Sequence, residues 1–245
     1  MVALGVLSGP VILLDRHPGG VEQASAALRG APESVRPTSQ PATGSSAGPS
    51  PSPIPSVGTG VFATADADGD PVGHGTIRRY KVEVEGGIGV DRRSAARQIE
   101  GILADRRGWT ADGRNGFQLV STGSYDFEVK IASPTTVDRT CGQVGLHTDG
   151  EVNCDVGKQV MVNVKRWLAG SPQFSGSIDD YRALIVNHEV GHRIGHGHEG
   201  CPGPGRPAPA MMQQIYGLNG CVPNAWPYSA DGSYLGGPPL AGTAG

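Results

Sequence analysis

Hydrophobic and polar residues alternate through TIRRYKVEVE, residues 76 to 85, which predicts a strand with one buried face. The period then changes. In DRRSAARQIEGILADRRGW, from Asp91, the apolar residues Ala95, Ile99, Ile102 and Leu103 recur at helical spacing and predict a helix. Three further apolar runs predict strands: FQLVS from Phe117, YDFEVKIAS from Tyr125 and QVMVNV from Gln159. The last helix begins at Ser177, which with Asp180 resembles a capping box. Ala183, Val186, Val190 and Ile194 form its core-facing stripe. His188 and His192 lie on the other side with Tyr181, Leu184 and Ile185, so even the histidine face is largely apolar and the helix is central. Gly195 ends it, because glycine readily takes the left-handed conformation that reverses a chain at a helix C-terminus. Strand, helix, several strands and helix, with no repeat, predict a sheet covered by helices, an α+β fold.

Outside these segments the patterning fails. Gly 39 and Pro 20 in 245 residues approach the level of low-complexity chains, and they concentrate at the ends. Residues 26–72 include PTSQPATGSSAGPSPSPIPS, which has too little apolar surface to offset ordering entropy and reads as a linker. Residues 236–245 read as a flexible tail for the same reason. The folded domain is therefore expected over residues 73–235. Within residues 1–25, the apolar run VALGVLSGPVILL has the length of a signal-peptide core and is shorter than the roughly 20 residues of a spanning helix. It is read as the remainder of a secretory or membrane-anchoring segment.

Charge adds little: a formal net charge of -3 with mixed signs gives no reason to expect a nucleic-acid partner. Cysteines add more. Cys141, Cys154, Cys201 and Cys221 form no C-x-x-C pair and fit two disulfides in an oxidising compartment, extracellular or in the cell envelope. Three connectivities are possible, the sequential one closing the shorter loops. Four reduced buried thiols are the alternative.

The candidate chemistry lies in HEVGHRIGHGH, residues 188 to 198, which holds four of the seven histidines. Two histidines four apart on a helix stack one turn above the other, so His188 and His192 can converge on one ion. His198 can return to that ion after the Gly195 turn, and three nitrogen ligands leave a fourth position for water, as in catalytic zinc sites. Glu189 stands next to the ligands without having to bind, where a general base is useful. His196 falls outside the ligand spacing and reads as exposed or supporting. The bland alternative is a polar helix whose histidines only face solvent.

His188, Glu189, His192, Gly195 and His198 complete H-E-x-x-H-x-x-G-x-x-H, and the stretch resembles the metzincin zinc metalloproteases. That resemblance implies Zn2+ on the three histidines, Glu189 as base and a turn methionine beneath the metal, for which Met211 of APAMMQQ is preferred over Met212. It also implies a twisted mixed sheet with two main helices above a zinc cleft, and a small irregular subdomain after Gly195. Several metzincins carry a tyrosine two residues after the turn methionine, where this chain has Gln213 or Gln214; Tyr216 follows later. CPGPGRPAP and NGCVPNAWP resemble a secreted bacterial domain family with a metzincin-like helix.

The expected function is a zinc endopeptidase, active as a monomer, on a polypeptide laid extended along the sheet's edge strand. The candidate for that edge lies within Thr140 to Val156. A zinc amidase acting on cell-wall peptides and a catalytically silent zinc-containing binding module are the alternatives; retention of Glu189 counts against the second.

Overall fold

The computed structural model describes residues 53–241. The expected secretory or anchoring segment, residues 1–25, and the first part of the expected linker lie outside them. In chain order the strands are β1 (Phe62–Thr64), β2 (Val72–Gly73), β3 (Thr76–Glu85), β4 (Asn115–Leu119), β5 (Phe127–Ala132), β6 (Cys154–Val156) and β7 (Gln159–Asn163). Between and after them come helices α1 (Arg92–Ala104), α2 (Pro134–Gly142), α3 (Val164–Ala169) and α4 (Ile178–Arg193). The sheet runs β2-β4-β3-β5-β7-β6, with β1 alongside the second half of β3. β4, β3, β5 and β7 are parallel, and β1, β2 and β6 are antiparallel to their neighbours. This is a mixed sheet with helices, an α+β fold.

The alternation along β3 builds the centre. Tyr80, Val82 and Val84 are buried and join Phe127, Val129 and Ile131 of β5 and Val160 and Val162 of β7 on one face. Ala95, Ala96, Ile99, Ile102 and Leu103 of α1 and Ala183, Val186 and Val190 of α4 cover that face. Asp91 caps α1 by accepting from the Ser94 N–H at 2.8 Å. The opposite face is apolar only at one end, where α2 packs Val137 and Cys141 over Ala132, Cys154 and Met161. The two disulfides take the sequential pairing: Cys141–Cys154 ties α2 to β6, and Cys201–Cys221 closes a loop after α4. They are consistent with an extracellular location. Among the described residues no helix is long and apolar enough to cross a membrane.

Both expected boundaries of the domain shift outward. Residues 53–72 are not all linker: β1 pairs with β3, and Ala65 and Ala67 are buried. Before them, Gly60 N–H donates to Glu85 Oε1 at 2.7 Å and Thr59 N–H to the Gly86 carbonyl at 2.9 Å. Glu85 is itself buried and also accepts from Ser133 N–H and the Thr136 hydroxyl. A polar segment can therefore be held by main-chain bonds to a buried carboxylate, without apolar side chains of its own. Of the expected tail, residues 236–241 also belong to the fold. Gly200 N–H donates to the Pro238 carbonyl at 2.8 Å, and Leu240 N–H to the His198 carbonyl at 2.9 Å.

Candidate metal centre

Helix α4 starts where Ser177 Oγ accepts from Asp180 N–H at 3.0 Å and runs along the sheet to Arg193. Its end is a Schellman turn: Gly195 N–H donates to the His192 carbonyl at 3.0 Å and His196 N–H to the Gly191 carbonyl at 2.9 Å. Gly195 has φ +99°, a conformation a side chain would resist. The turn sends the chain back along the helix and brings His198 beside His188 and His192.

The three imidazoles meet. His192 Nε2 lies 3.3 Å from His188 Nε2 and 3.1 Å from His198 Nε2. Such a group can hold a metal ion. The other ring nitrogens explain the orientation. His188 Nδ1 sits 2.8 Å from the Ala210 carbonyl and His192 Nδ1 2.9 Å from the His196 carbonyl. A carbonyl only accepts, so both rings carry their proton on Nδ1 and turn the Nε2 lone pair to the centre. His198 Nδ1 is buried without a hydrogen-bond partner, and the residue's main chain is held by the Leu240 N–H bond to its carbonyl. Burial pushes His188 down to about 3 and His198 down to about 4, and lowers His192 too, each helped by a neighbouring imidazole or opposed by a carbonyl. All three stay neutral at physiological pH, the form that ligates.

Beneath the helix, Met211 is fully buried. A Cβ on Gly191 would come within 2.3 Å of Met211 Sδ and 2.8 Å of Trp109 Cζ2, so the absent side chain at 191 is what admits the methionine. Trp109 Nε1–H donates to the Asn187 carbonyl at 2.8 Å, and its ring stacks on His196 with centroids 4.2 Å apart. His196 is thus part-buried against Trp109 and uses its carbonyl, not its ring, at the site. Met212 packs with Ala208 and Cys221 in a separate small cluster. Gln214 is buried, donating to the Pro209 and Asn224 carbonyls, whereas Tyr216 is 70 % exposed at the cleft rim.

Glu189 is buried on the cleft side of α4, and burial first and Asp155 second raise its carboxyl well above the ordinary glutamate range. Asp155 is in β6, the outer strand of the sheet and the end of the stretch where an edge was expected. Burial pushes its carboxyl up to about 6, against the pull of Arg193. Both acids and the three histidines line one cavity of about 340 Å³ between β6, α4 and the segment after Met211. Asp155 and the carbonyls of Ala210 and His196 had no signal in the sequence. A carbonyl has no residue type to read, and β6 has only three residues.

A family described as "Protein of unknown function (DUF3152)" matches residues 48–224. The match takes in the three histidines, Glu189, Met211 and all four cysteines, and stops short of the residues that hold His198 from the C-terminal side. No curated protein and no solved structure matches the chain.

Proposed function

The chain belongs to the DUF3152 family, a family of unknown function, and we propose that it is a zinc-dependent endopeptidase with a metzincin-like cleft. The observation that carries this reading is the convergence of three Nε2 atoms beside the buried carboxylate of Glu189 in one cavity. Ligands at about 2.05 Å around a tetrahedral zinc are separated by roughly 3.3 Å, which the observed spacings of 3.3 and 3.1 Å fit. The donor set agrees: three neutral imidazoles suit zinc better than calcium or magnesium, which prefer oxygen.

His188, His192 and His198 would hold the ion. When bound, zinc would acidify a water, polarise a carbonyl oxygen and, as a nearby dication, favour the ionised form of Glu189. The rest of the chemistry falls to the chain. Glu189 would take the proton from the attacking water and deliver it to the leaving amide nitrogen, so that one carboxyl acts first as base and then as acid. Its low-dielectric surroundings strengthen both transfers. The polypeptide would lie along the outer side of β6, which borders the cleft, its main chain pairing with the strand. The Ala210 carbonyl would position His188, with Met211 packed against Gly191 of the same helix.

Glu189→Ala is expected to retain zinc, measured by metal analysis of the purified protein, and to lose hydrolysis of a broad peptide digest by at least about a hundredfold. An unchanged rate would remove Glu189 from the mechanism. His198→Ala is expected to lose zinc; full occupancy would mean that the third ligand is another group.

A further inference from the structure

We propose that Asp155 makes the cleft selective for a polypeptide that presents a lysine or arginine side chain beside the outer strand. This rests on the endopeptidase reading for the kind of molecule that enters, and its test is arranged so that the two can fail separately.

Asp155 is the middle residue of β6, which has no further strand on its outer side among the described residues. Cys154 and Val156 point to the α2 side and pack there. By the two-residue period of a strand, Asp155 points the other way, toward α4 and the cavity it lines. Its side chain is only 7 % exposed, yet Oδ1 makes no hydrogen bond. Arg193 Nη1 is 3.5 Å away, close enough to attract but too far to satisfy that oxygen. The Arg193 side chain is 31 % exposed and is not part of the cavity wall.

A buried carboxylate oxygen without a donor is costly, and a bound group that donates to it recovers that cost. The cavity wall decides the sign of the donor. Its acidic residues are Asp155 and Glu189, with no lysine or arginine among the lining side chains. An anionic group placed on Oδ1 would be repelled by Asp155, and a neutral donor would leave that oxygen's charge met only by Arg193 at 3.5 Å. Leu146, Tyr181, Leu184 and Ile185 supply apolar surface in the same cavity, suited to the aliphatic stem of lysine or arginine while its head group reaches the acid. A peptide strand laid on β6 places alternate side chains on the Asp155 side, where opposite charges across strands attract.

The test uses zinc-loaded Glu189→Ala protein, so that peptides are bound and not consumed. Capped peptides identical except for one Lys, norleucine or Glu, moved along the sequence, are titrated by fluorescence anisotropy. At one register the Lys peptide is expected to bind about tenfold more tightly than the norleucine peptide, with the Glu peptide weakest. Adding Asp155→Asn should bring the Lys-to-norleucine ratio close to one. Equal affinity of Lys and norleucine peptides at every register overturns the proposal, as does a preference that persists in the Asn variant. Should that variant not fold, the comparison on the Asp155 protein still decides. Cleavage of the same peptides by unsubstituted zinc-loaded protein tests the peptidase reading on its own. Selective binding without cleavage removes that reading and keeps this one, and cleavage without selectivity does the reverse.

Discussion

The two halves of the protein that meet at the histidines are held together by different means. Up to Arg193 the chain is a sheet with helices around one large apolar cluster. After Gly195 its regular structure among the described residues is one short turn of helix, Gln214–Tyr216, and isolated bridges. The apolar cluster of its own is Ala208, Met212 and Cys221, while Met211 and Ala225 join the large one. The first half supplies His188, His192 and Glu189 as a consequence of helix geometry. The second supplies His198, both carbonyls that fix the histidine tautomers, and Met211. A rigid helix sets two ligands, and the irregular half completes the centre.

If cross-links and main-chain bonds substitute for a core in the second half, removing its disulfide should have the largest effect. Cys201→Ser with Cys221→Ser opens a loop of sequence separation 20 and is expected to cost about 3 kcal/mol, measured by urea unfolding. Helical circular dichroism from α1 and α4, both in the first half, should still report a folded core at urea concentrations where zinc is already lost. Simultaneous loss of both signals would mean that the halves unfold as one unit and that the contrast is one of appearance only.

Legibility in the sequence divides at the same place. Strand β3 and helices α1 and α4 could be read because burial on one face imposes a period on many residues. The ligand motif could be read because three imidazoles and a carboxylate at fixed spacing are rare. β1, β2 and β6 have three residues or fewer, too short for a period to show, and α2 and α3 have nine and six. The expected tail failed for a related reason. Gly237 to Leu240 are held through main-chain groups, among them Gly237 N–H to Glu199 Oε2 at 3.2 Å, and such bonds leave no trace in residue type.

The seam between the halves can be tested at Gly191. Alanine there would gain up to about 1 kcal/mol of helix propensity. Its Cβ, however, would stand 2.3 Å from Met211 Sδ, and overpacking costs about 1–3 kcal/mol. We expect a net loss of about 1–2 kcal/mol in thermal unfolding. Adding Met211→Ala should recover only part of the Gly191→Ala loss, because the 2.8 Å approach to the buried Trp109 Cζ2 remains. Additive losses in the double variant would show that the methionine yields easily and that the seam is not tightly fitted.

A smaller effect is expected from shortening the chain after Leu235, which removes the residues bonded to Gly200 and His198. The first half makes none of these contacts, so its helical circular dichroism should be unchanged. Zinc affinity should fall about tenfold, the range for loss of supporting contacts around a ligand, as read by competition with a chromophoric chelator. Unchanged affinity would mean that the disulfide alone positions His198.

The smallest effect should come from His196→Phe, and its comparison with His196→Gly separates two roles for that ring. Its carbonyl accepts from His192 Nδ1, while its imidazole stacks on Trp109. If the ring serves only to fix the position of the carbonyl, His196→Phe preserves the stack and should change zinc affinity by less than about threefold. His196→Gly frees the backbone next to Gly195 and Gly197 and should weaken it by about tenfold. A phenylalanine variant as weak as the glycine one would mean that the imidazole itself contributes, through its nitrogen atoms and not its flat face. A glycine variant as tight as the native protein would mean that the Schellman bonds from Gly195 and His196 to the helix hold the carbonyl unaided. In that case the irregular half would owe its precision at this point to the helix it follows.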